Sequence, residues 1–135
     1  MNKIIFLIFS VIAFCNCSSD HYDPIKLSEK DINCNYAKGT YSITTKGETW
    51  WIQKFVVVDS KYIAVTEFET VYEDDSPEAS PVKITGDWFS ITKEGKNKLV
   101  ISLEENLGNN IRELKVLLQN DNYLDELKIT QNKKQ

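Results

Sequence analysis

The chain contains 135 residues, of which 41% are hydrophobic and 27% are charged, and its formal net charge is −4. An acidic chain without a basic stripe lacks the groups that neutralise phosphates, so nucleic acid is not an expected partner. Three cysteines are too few for a disulfide framework to hold a domain of this size.

The first residues read as a secretion signal. Lys3 supplies the positive start, and residues 4–14 form an apolar run of the length of a signal-peptide core. The run is too short to span a bilayer. We therefore predict that residues 1–16 are removed, which changes the formal charge from −4 to about −5 because Lys3 is the only charged residue among them.

A cysteine directly follows this segment. Cys17 stands before Ser18, Ser19 and Asp20, and the segment resembles the lipoprotein signals of the Bacteroidetes, whose cysteine becomes the acylated first residue. The resemblance implies lipidation of Cys17 and an outer membrane lipoprotein, on the cell surface or facing the periplasm, that contacts the membrane through this anchor. Several acyl chains would make the anchor stable. Two alternatives remain: acylation of Cys15, or secretion with both cysteines removed.

The rest of the chain is dominated by a period of two. After a tether at residues 17–24, residues 25–131 form one predicted domain, and residues 132–135 form a polar tail. Val, Ile, Thr and aromatic residues recur in eight predicted strands at residues 25–34, 40–46, 49–58, 61–72, 82–92, 98–104, 111–118 and 123–130. The pattern predicts an all-β, antiparallel sandwich. Residues 111–119 also fit a helical period, but Asn-rich turns on both sides favour a strand.

Three motifs identify a family resemblance. They are DWFSIT at residues 87–92, Asn106 paired with Arg112, and ITQ ending at Gln131. Together they resemble the BACON domain (Bacteroidetes-associated carbohydrate-binding often N-terminal) over residues 25–131. The resemblance implies an immunoglobulin-like sandwich that binds carbohydrate or acts as a spacer. The segment at residues 55–81 is longer than a minimal module of this kind and adds a strand pair.

Two adjacent tryptophans lie in the third predicted strand. Because side chains alternate along a strand, Trp50 and Ile52 share one face and Trp51 lies on the other. We predict that Trp50 and Ile52 are core residues and that Trp51 faces outward. An exposed indole can stack on a sugar ring or anchor a protein partner. Alternatively, the long segment at residues 55–81 covers Trp51.

The fourth predicted strand offers a second candidate ligand site. In a continuous strand over residues 61–72, Tyr62, Phe68 and Tyr72 share one face and form an aromatic platform for a glycan. The other reading is that this face packs into the core. Two glutamates on the opposite face are typical of a sheet edge.

Other conspicuous residues are interpreted as structural. Trp88 is predicted to be a core or corner aromatic, and Arg112 is predicted to brace a turn with Asn106 by donating to backbone carbonyls. The acidic loop at residues 73–78 has hard oxygen ligands for calcium, but it lacks the spacing of a dedicated loop, so a solvated charge run is preferred and no metal site is assigned.

Catalytic residues are not identified. His21, the only histidine, lies in the tether, and Cys34 has no companion histidine to activate it, so Cys34 is interpreted as a small buried hydrophobe. No zinc spacing or phosphate-binding glycine loop is present, so no cofactor is expected. We predict a non-catalytic envelope lipoprotein that serves as a spacer, accessory or adhesion module with envelope proteins as partners. The alternative is a surface module that binds mucin or polysaccharide through exposed aromatics.

Overall fold

The computed structural model describes residues 22–135. The predicted signal peptide at residues 1–16, the predicted lipidation site Cys17, its rival Cys15 and His21 lie outside the described residues. Residues 22–135 form ten strands and one short 3₁₀ helix, arranged as two packed sheets of five strands each. The prediction of an all-β, immunoglobulin-like sandwich is therefore confirmed.

The two sheets are called front and back. In spatial order, the front sheet contains β1 (Asp31–Cys34), β10 (Tyr123–Gln131), β9 (Arg112–Asn120), β3 (Trp51–Val58) and β4 (Lys61–Ala64). The back sheet contains β2 (Gly39–Thr44), β8 (Lys98–Leu103), β7 (Phe89–Glu94), β6 (Pro81–Thr85) and β5 (Glu69–Tyr72). The β1–β10 pair is parallel and the other strand pairs are antiparallel.

The core follows the period-two pattern of the sequence. On β9, Leu114, Val116 and Leu118 are fully buried, whereas Lys115 and Leu117 alternate with them and are partly exposed. This alternation is that of a strand with one face on the core, so the preference for strand over helix in this segment is confirmed. Cys34 is a buried free cysteine, and its predicted burial is also confirmed.

Two predicted strands are each divided in the structure, which raises the number from eight to ten. The segment at residues 61–72 forms β4, a 3₁₀ helix at Val65–Glu67 and β5. The helical turn is closed by a bond from the N–H of Phe68 to the carbonyl of Val65 (3.1 Å), and it carries the chain from the front sheet to the back sheet. Burial of Val65 holds this crossing in place.

The DWFSIT segment also departs from a single strand. Residues 81–94 form the β6–β7 hairpin, in which the N–H of Gly86 donates to the carbonyl of Phe89 (2.9 Å). A Cβ atom at Gly86 would overlap with the Phe89 ring, so the tight turn requires glycine here. At the start of the domain, the predicted strand at residues 25–34 is reduced to its last four residues as β1.

The packed body begins before Ile25. A carboxylate oxygen of Asp23 accepts hydrogen bonds from the N–H groups of Ile25 (3.0 Å) and Lys26 (2.8 Å), and Ile25 is fully buried. Gly47 approaches the carbonyl of Pro24 so closely that any side chain there would overlap with it. Asp23 and Pro24, placed in the tether by sequence, thus already contact the sandwich.

An ion-pair cluster fastens this N-terminal segment to β10. Lys30 Nζ lies 2.9 Å from an Asp125 carboxylate oxygen and 3.7 Å from an Asp23 oxygen. The hydrogen bond to Asp125 raises the pKa of Lys30. Burial opposes ionisation of Asp23, but the backbone N–H groups and Lys30 outweigh it and lower the pKa of that carboxyl. Both groups are therefore charged at neutral pH.

Candidate functional site

The outer face of the front sheet carries an open apolar surface. On β9 and β10 the outward residues nearest the β9–β10 turn are Leu117, Gln119, Leu124 and Glu126, which alternate with buried neighbours. Strand pairing places Leu124 beside Gln119 and Glu126 beside Leu117. On the other side of β9, Gln119 is paired with Trp51 of β3. One row across the sheet thus runs from Leu124 through Gln119 to Trp51.

Two aromatic rings complete this surface. Phe55 on β3 and Tyr62 on β4 have ring centroids 5.7 Å apart with planes tilted by 59°, and Tyr62 is 75% exposed. They share a groove of about 440 Å³ with Leu117 and Leu124. These four residues, Phe55, Tyr62, Leu117 and Leu124, are called the outer-face patch. Contiguous exposed apolar residues of this kind typically mark interaction surfaces.

An irregularity in β3 shapes the patch. The pairing of β3 with β9 shifts register between Ile52 and Val56. Within this bulge, Lys54 and Phe55 are adjacent in sequence yet both are exposed, whereas a regular strand would send one of them to the core. The bulge therefore exposes Lys54, whose Nζ donates to the carbonyl of Pro77 (3.1 Å), and leaves Phe55 on the outer face.

Polar groups at the margin of the patch are held by neighbours. Gln53 Nε2 donates to Gln119 Oε1. Gln119 Nε2 in turn donates to the backbone carbonyl of Asp121 (2.6 Å). Glu126 lies 3.6 Å from Lys115 Nζ. The amides and the carboxylate thus stand in defined positions around the apolar centre.

The predicted orientation of the tandem tryptophans is confirmed for the core side. Trp50 is 2% exposed, its indole N–H donates to the Thr45 hydroxyl (2.9 Å), and Lys93 Nζ lies 4.5 Å from the ring centroid. Burial lowers the pKa of Lys93. Trp51 lies on the opposite face, as predicted, but it is only partly exposed. It is neither a fully open platform nor a fully covered side chain, and it lies at the edge of the outer-face patch.

The predicted three-residue aromatic platform does not form. Because residues 61–72 change sheets, Tyr62 lies in the front sheet and Tyr72 in the back sheet. Phe68 packs edge-on against Phe89, with centroids 5.5 Å apart, and both Phe68 and Tyr72 pack against the core. Tyr62 instead pairs with Phe55, which the sequence analysis did not select. The alternation of the segment WIQKFV would have placed Phe55 with Trp51, had that pattern been extended.

The loop before β9 is braced by the residues of the family-like motifs. Arg112 donates to the carbonyl of Glu105 (3.4 Å), and its guanidinium lies 5.2 Å from the Trp88 ring centroid. Asn106 is fully buried and bonds to the loop and to the C-terminal segment. Gln131 donates to the carbonyl of Glu104 (3.0 Å). These hydrogen bonds hold the loop before β9 in place, at the end of the sandwich opposite the β9–β10 turn.

The acidic loop at residues 73–78 is exposed. Hydrogen bonds from the hydroxyl and N–H of Ser76 lower the pKa of Asp74. Within residues 22–135, no group of three His, Cys, Asp or Glu side chains is placed to hold a metal ion. In the same residues, no helix has the length and apolar character needed to cross a bilayer.

Comparison with known proteins supports the fold. No family model matches the chain, and no curated protein matches it. An NMR structure of a protein from Bacteroides thetaiotaomicron is similar, with a TM-score of 0.64 and 21% identity over 84% of this chain and 91% of that chain. A Bacteroides ovatus GH5 xyloglucanase in complex with a XXXG heptasaccharide gives a TM-score of 0.49 and 11% identity, over 82% of this chain and 19% of that chain. The first likeness shows a shared fold and no more.

Proposed function

We propose that this protein is a non-catalytic cell-envelope lipoprotein, anchored through Cys17, whose BACON-like sandwich serves as an accessory or adhesion module. The observation that carries the proposal is the outer-face patch. It lies along a groove of about 440 Å³ that is open to solvent on the outer face of a sheet, so it suits a partner that lies across the sheet. The bonds at Asp23 add support, because they place the start of a rigid body six residues after Cys17.

The anchor is tested by Cys17→Ser in the full chain. We expect the wild-type protein to incorporate labelled palmitate and to sediment with membranes, and we expect the variant to lose both properties because the acyl acceptor is gone. Cys15→Ser is the matched control and should behave like wild type. Palmitate labelling that persists in Cys17→Ser and disappears in Cys15→Ser would assign the anchor to Cys15 instead.

A second candidate function is carbohydrate binding at the outer-face patch. Tyr62 and Phe55 offer two tilted, exposed rings on which sugar faces can stack, and Gln53 and Glu126 supply polar groups at the margin. This geometry is the specific observation that favours a glycan.

Glycan binding is tested by titrating the protein with mucin and plant polysaccharides while intrinsic tryptophan fluorescence and retardation in polysaccharide gels are followed. If the patch binds sugar, Tyr62→Ala should weaken retardation by roughly five-fold, since stacking contributes on the order of 1 kcal/mol. Tyr72→Ala is the matched control, because that tyrosine lies in the back sheet. Equal weakening by both variants, or no retardation of the wild-type protein, would remove the patch as a glycan site.

A further inference from the structure

The N-terminal end of the described chain lies at one end of the front sheet. Tyr22 shares a surface groove with the β9–β10 turn, which comprises Asn120, Asp121, Asn122 and Tyr123. The chain therefore enters the sandwich beside this turn, and the bonds of Asp23 and Lys30 prevent the entry point from moving along the sheet.

The distance from the proposed anchor to this turn is short. Tyr22 is the fifth residue after Cys17, and a fully extended chain spans at most about 3.6 Å per residue step, so the connection reaches at most about 18 Å. This inference rests on the proposed lipidation of Cys17. With acyl chains at Cys17, the β9–β10 turn stays within that distance of the lipid headgroups.

The outer face of the front sheet is polarised toward the same turn. Leu124 immediately follows Tyr123, and Leu117 and Phe55 lie further along the sheet. The far end of the face carries an ion pair between Lys128 and Glu113, whose atoms are 3.6 Å apart. Leu124 and Leu117 thus lie in the rows nearest the anchor, whereas Tyr62 lies in the row of Val57, Lys115 and Lys128, beside the charged end.

The charges near the patch are compatible with a headgroup layer. The carboxylate of Glu126 is paired with Lys115, and that of Asp125 with Lys30. Paired carboxylates repel lipid phosphates less than free ones do. No free ammonium group is added beside the aromatic residues by the two nearest lysines: Lys54 Nζ donates to the carbonyl of Pro77 (3.1 Å), and Lys61 alternates with Tyr62 and therefore lies on the other side of β4.

From these four observations we infer that the outer-face patch rests on the surface of the bilayer that holds the anchor. Leu124 and Phe55 contact the upper acyl region, and Tyr62 places its ring at the interface with its hydroxyl toward water. The contact area is small, so the patch alone binds weakly. The anchor makes the contact intramolecular and raises the effective concentration of lipid at the patch.

The test uses the purified, acylated full-length lipoprotein in phosphatidylcholine vesicles with and without brominated acyl chains. Brominated lipid quenches tryptophan on contact, and the difference between wild type and Trp51→Phe reports on Trp51, the tryptophan at the edge of the patch. We expect quenching of Trp51 in wild type and a roughly two-fold or greater loss of that quenching in Leu124→Glu, because a carboxylate there opposes insertion.

Leu107→Glu is the matched control. Leu107 is 70% exposed and Leu124 is 63% exposed, but Leu107 lies in the loop at the opposite end of β9. Its substitution introduces the same charge far from the anchor and should leave quenching unchanged.

Flotation of the vesicles separates the possible failures. If the acylated protein floats with vesicles but Trp51 is not quenched, or Leu107→Glu and Leu124→Glu have equal effects, the docking inference is overturned and the anchor stands. If the protein does not float, the proposed anchor is overturned and the docking falls with it. If wild type binds soluble polysaccharide, Leu124→Glu loses that binding, and lipid does not quench Trp51, then the patch is a glycan surface and the docking inference is wrong.

Discussion

Replacing Trp50 by alanine is expected to lower the free energy of unfolding by about 3 to 5 kcal/mol, whereas Trp51→Ala lowers it by less than about 1 kcal/mol. The two residues are adjacent and have the same side chain, so the comparison isolates the effect of the face on which each lies. Trp50 is fully enclosed between the sheets, and Trp51 is partly exposed on the outer face.

The large effect at Trp50 has three sources. Truncation leaves a cavity that the rigid strands can only partly close, and it removes the indole N–H that donates to the buried Thr45 hydroxyl, which keeps its own bond to the Gly47 carbonyl (2.6 Å). It also uncovers Lys93, whose ammonium group lies over the ring and donates to the Trp50 carbonyl (2.6 Å). The carbonyl bond survives in the variant, but the cation–π contact does not.

Urea denaturation followed by far-ultraviolet circular dichroism measures both variants without relying on tryptophan emission. Trp50→Phe serves as an intermediate, since it keeps an aromatic ring but loses the indole N–H. Similar losses of stability at Trp50 and Trp51 would contradict the assigned orientation of β3. If Trp50→Ala is too unstable to purify, Trp50→Phe takes its place. Trp50→Phe should still lower the free energy of unfolding by more than Trp51→Ala does.

Asn106→Ala is expected to lower the free energy of unfolding by about 2 to 4 kcal/mol. The side-chain amide donates to the carbonyls of Asn110 (2.9 Å) and Asn132 (3.1 Å), and its oxygen accepts from the N–H of Gly108 (3.1 Å). Asn106 is fully buried. Its replacement by alanine removes the hydrogen-bond partner of all three backbone groups. The loop and the C-terminal segment then lose their common contact.

The matched control is Asn110→Ala. Asn110 is exposed and contributes its backbone carbonyl to the bond, so removing its side chain should change the stability by less than about 0.5 kcal/mol. Hydrogen exchange adds a local readout, since the Gly108 amide should exchange faster in Asn106→Ala. Equal destabilisation by the two variants would mean that loop composition, and not the bonds of Asn106, stabilises this end of the sandwich.

Local patterning was sufficient for much of the fold. Alternation in the third predicted strand correctly assigned Trp50 and Ile52 to the core, and the turns around residues 111–119 correctly favoured a strand there, because a strand with one face on a core must alternate. The sequence also predicts that Arg112, paired with Asn106, braces a turn by donating to backbone carbonyls, and the structure shows its guanidinium donating to the carbonyl of Glu105.

The candidate site was only partly predictable. Tyr62 and Trp51 were selected from the sequence, but Phe55 was not, and Phe68 and Tyr72 were grouped with Tyr62 on a strand that does not continue. Residues 61–72 carry apolar side chains at both odd and even positions. This pattern fits a long edge strand and a chain that crosses between sheets equally well. Local propensity does not distinguish these two arrangements.

Strand alternation, turn chemistry and composition established the all-β class and most of the core, since these depend on interactions between near neighbours in the chain. The crossing at Val65, the bulge that exposes Lys54 and the attachment of Asp23 and Lys30 to β10 followed from contacts between segments distant in sequence. The outer-face patch is the clearest case. Its four residues come from four strands, β3, β4, β9 and β10, and are neighbours only because backbone hydrogen bonds align those strands in one sheet.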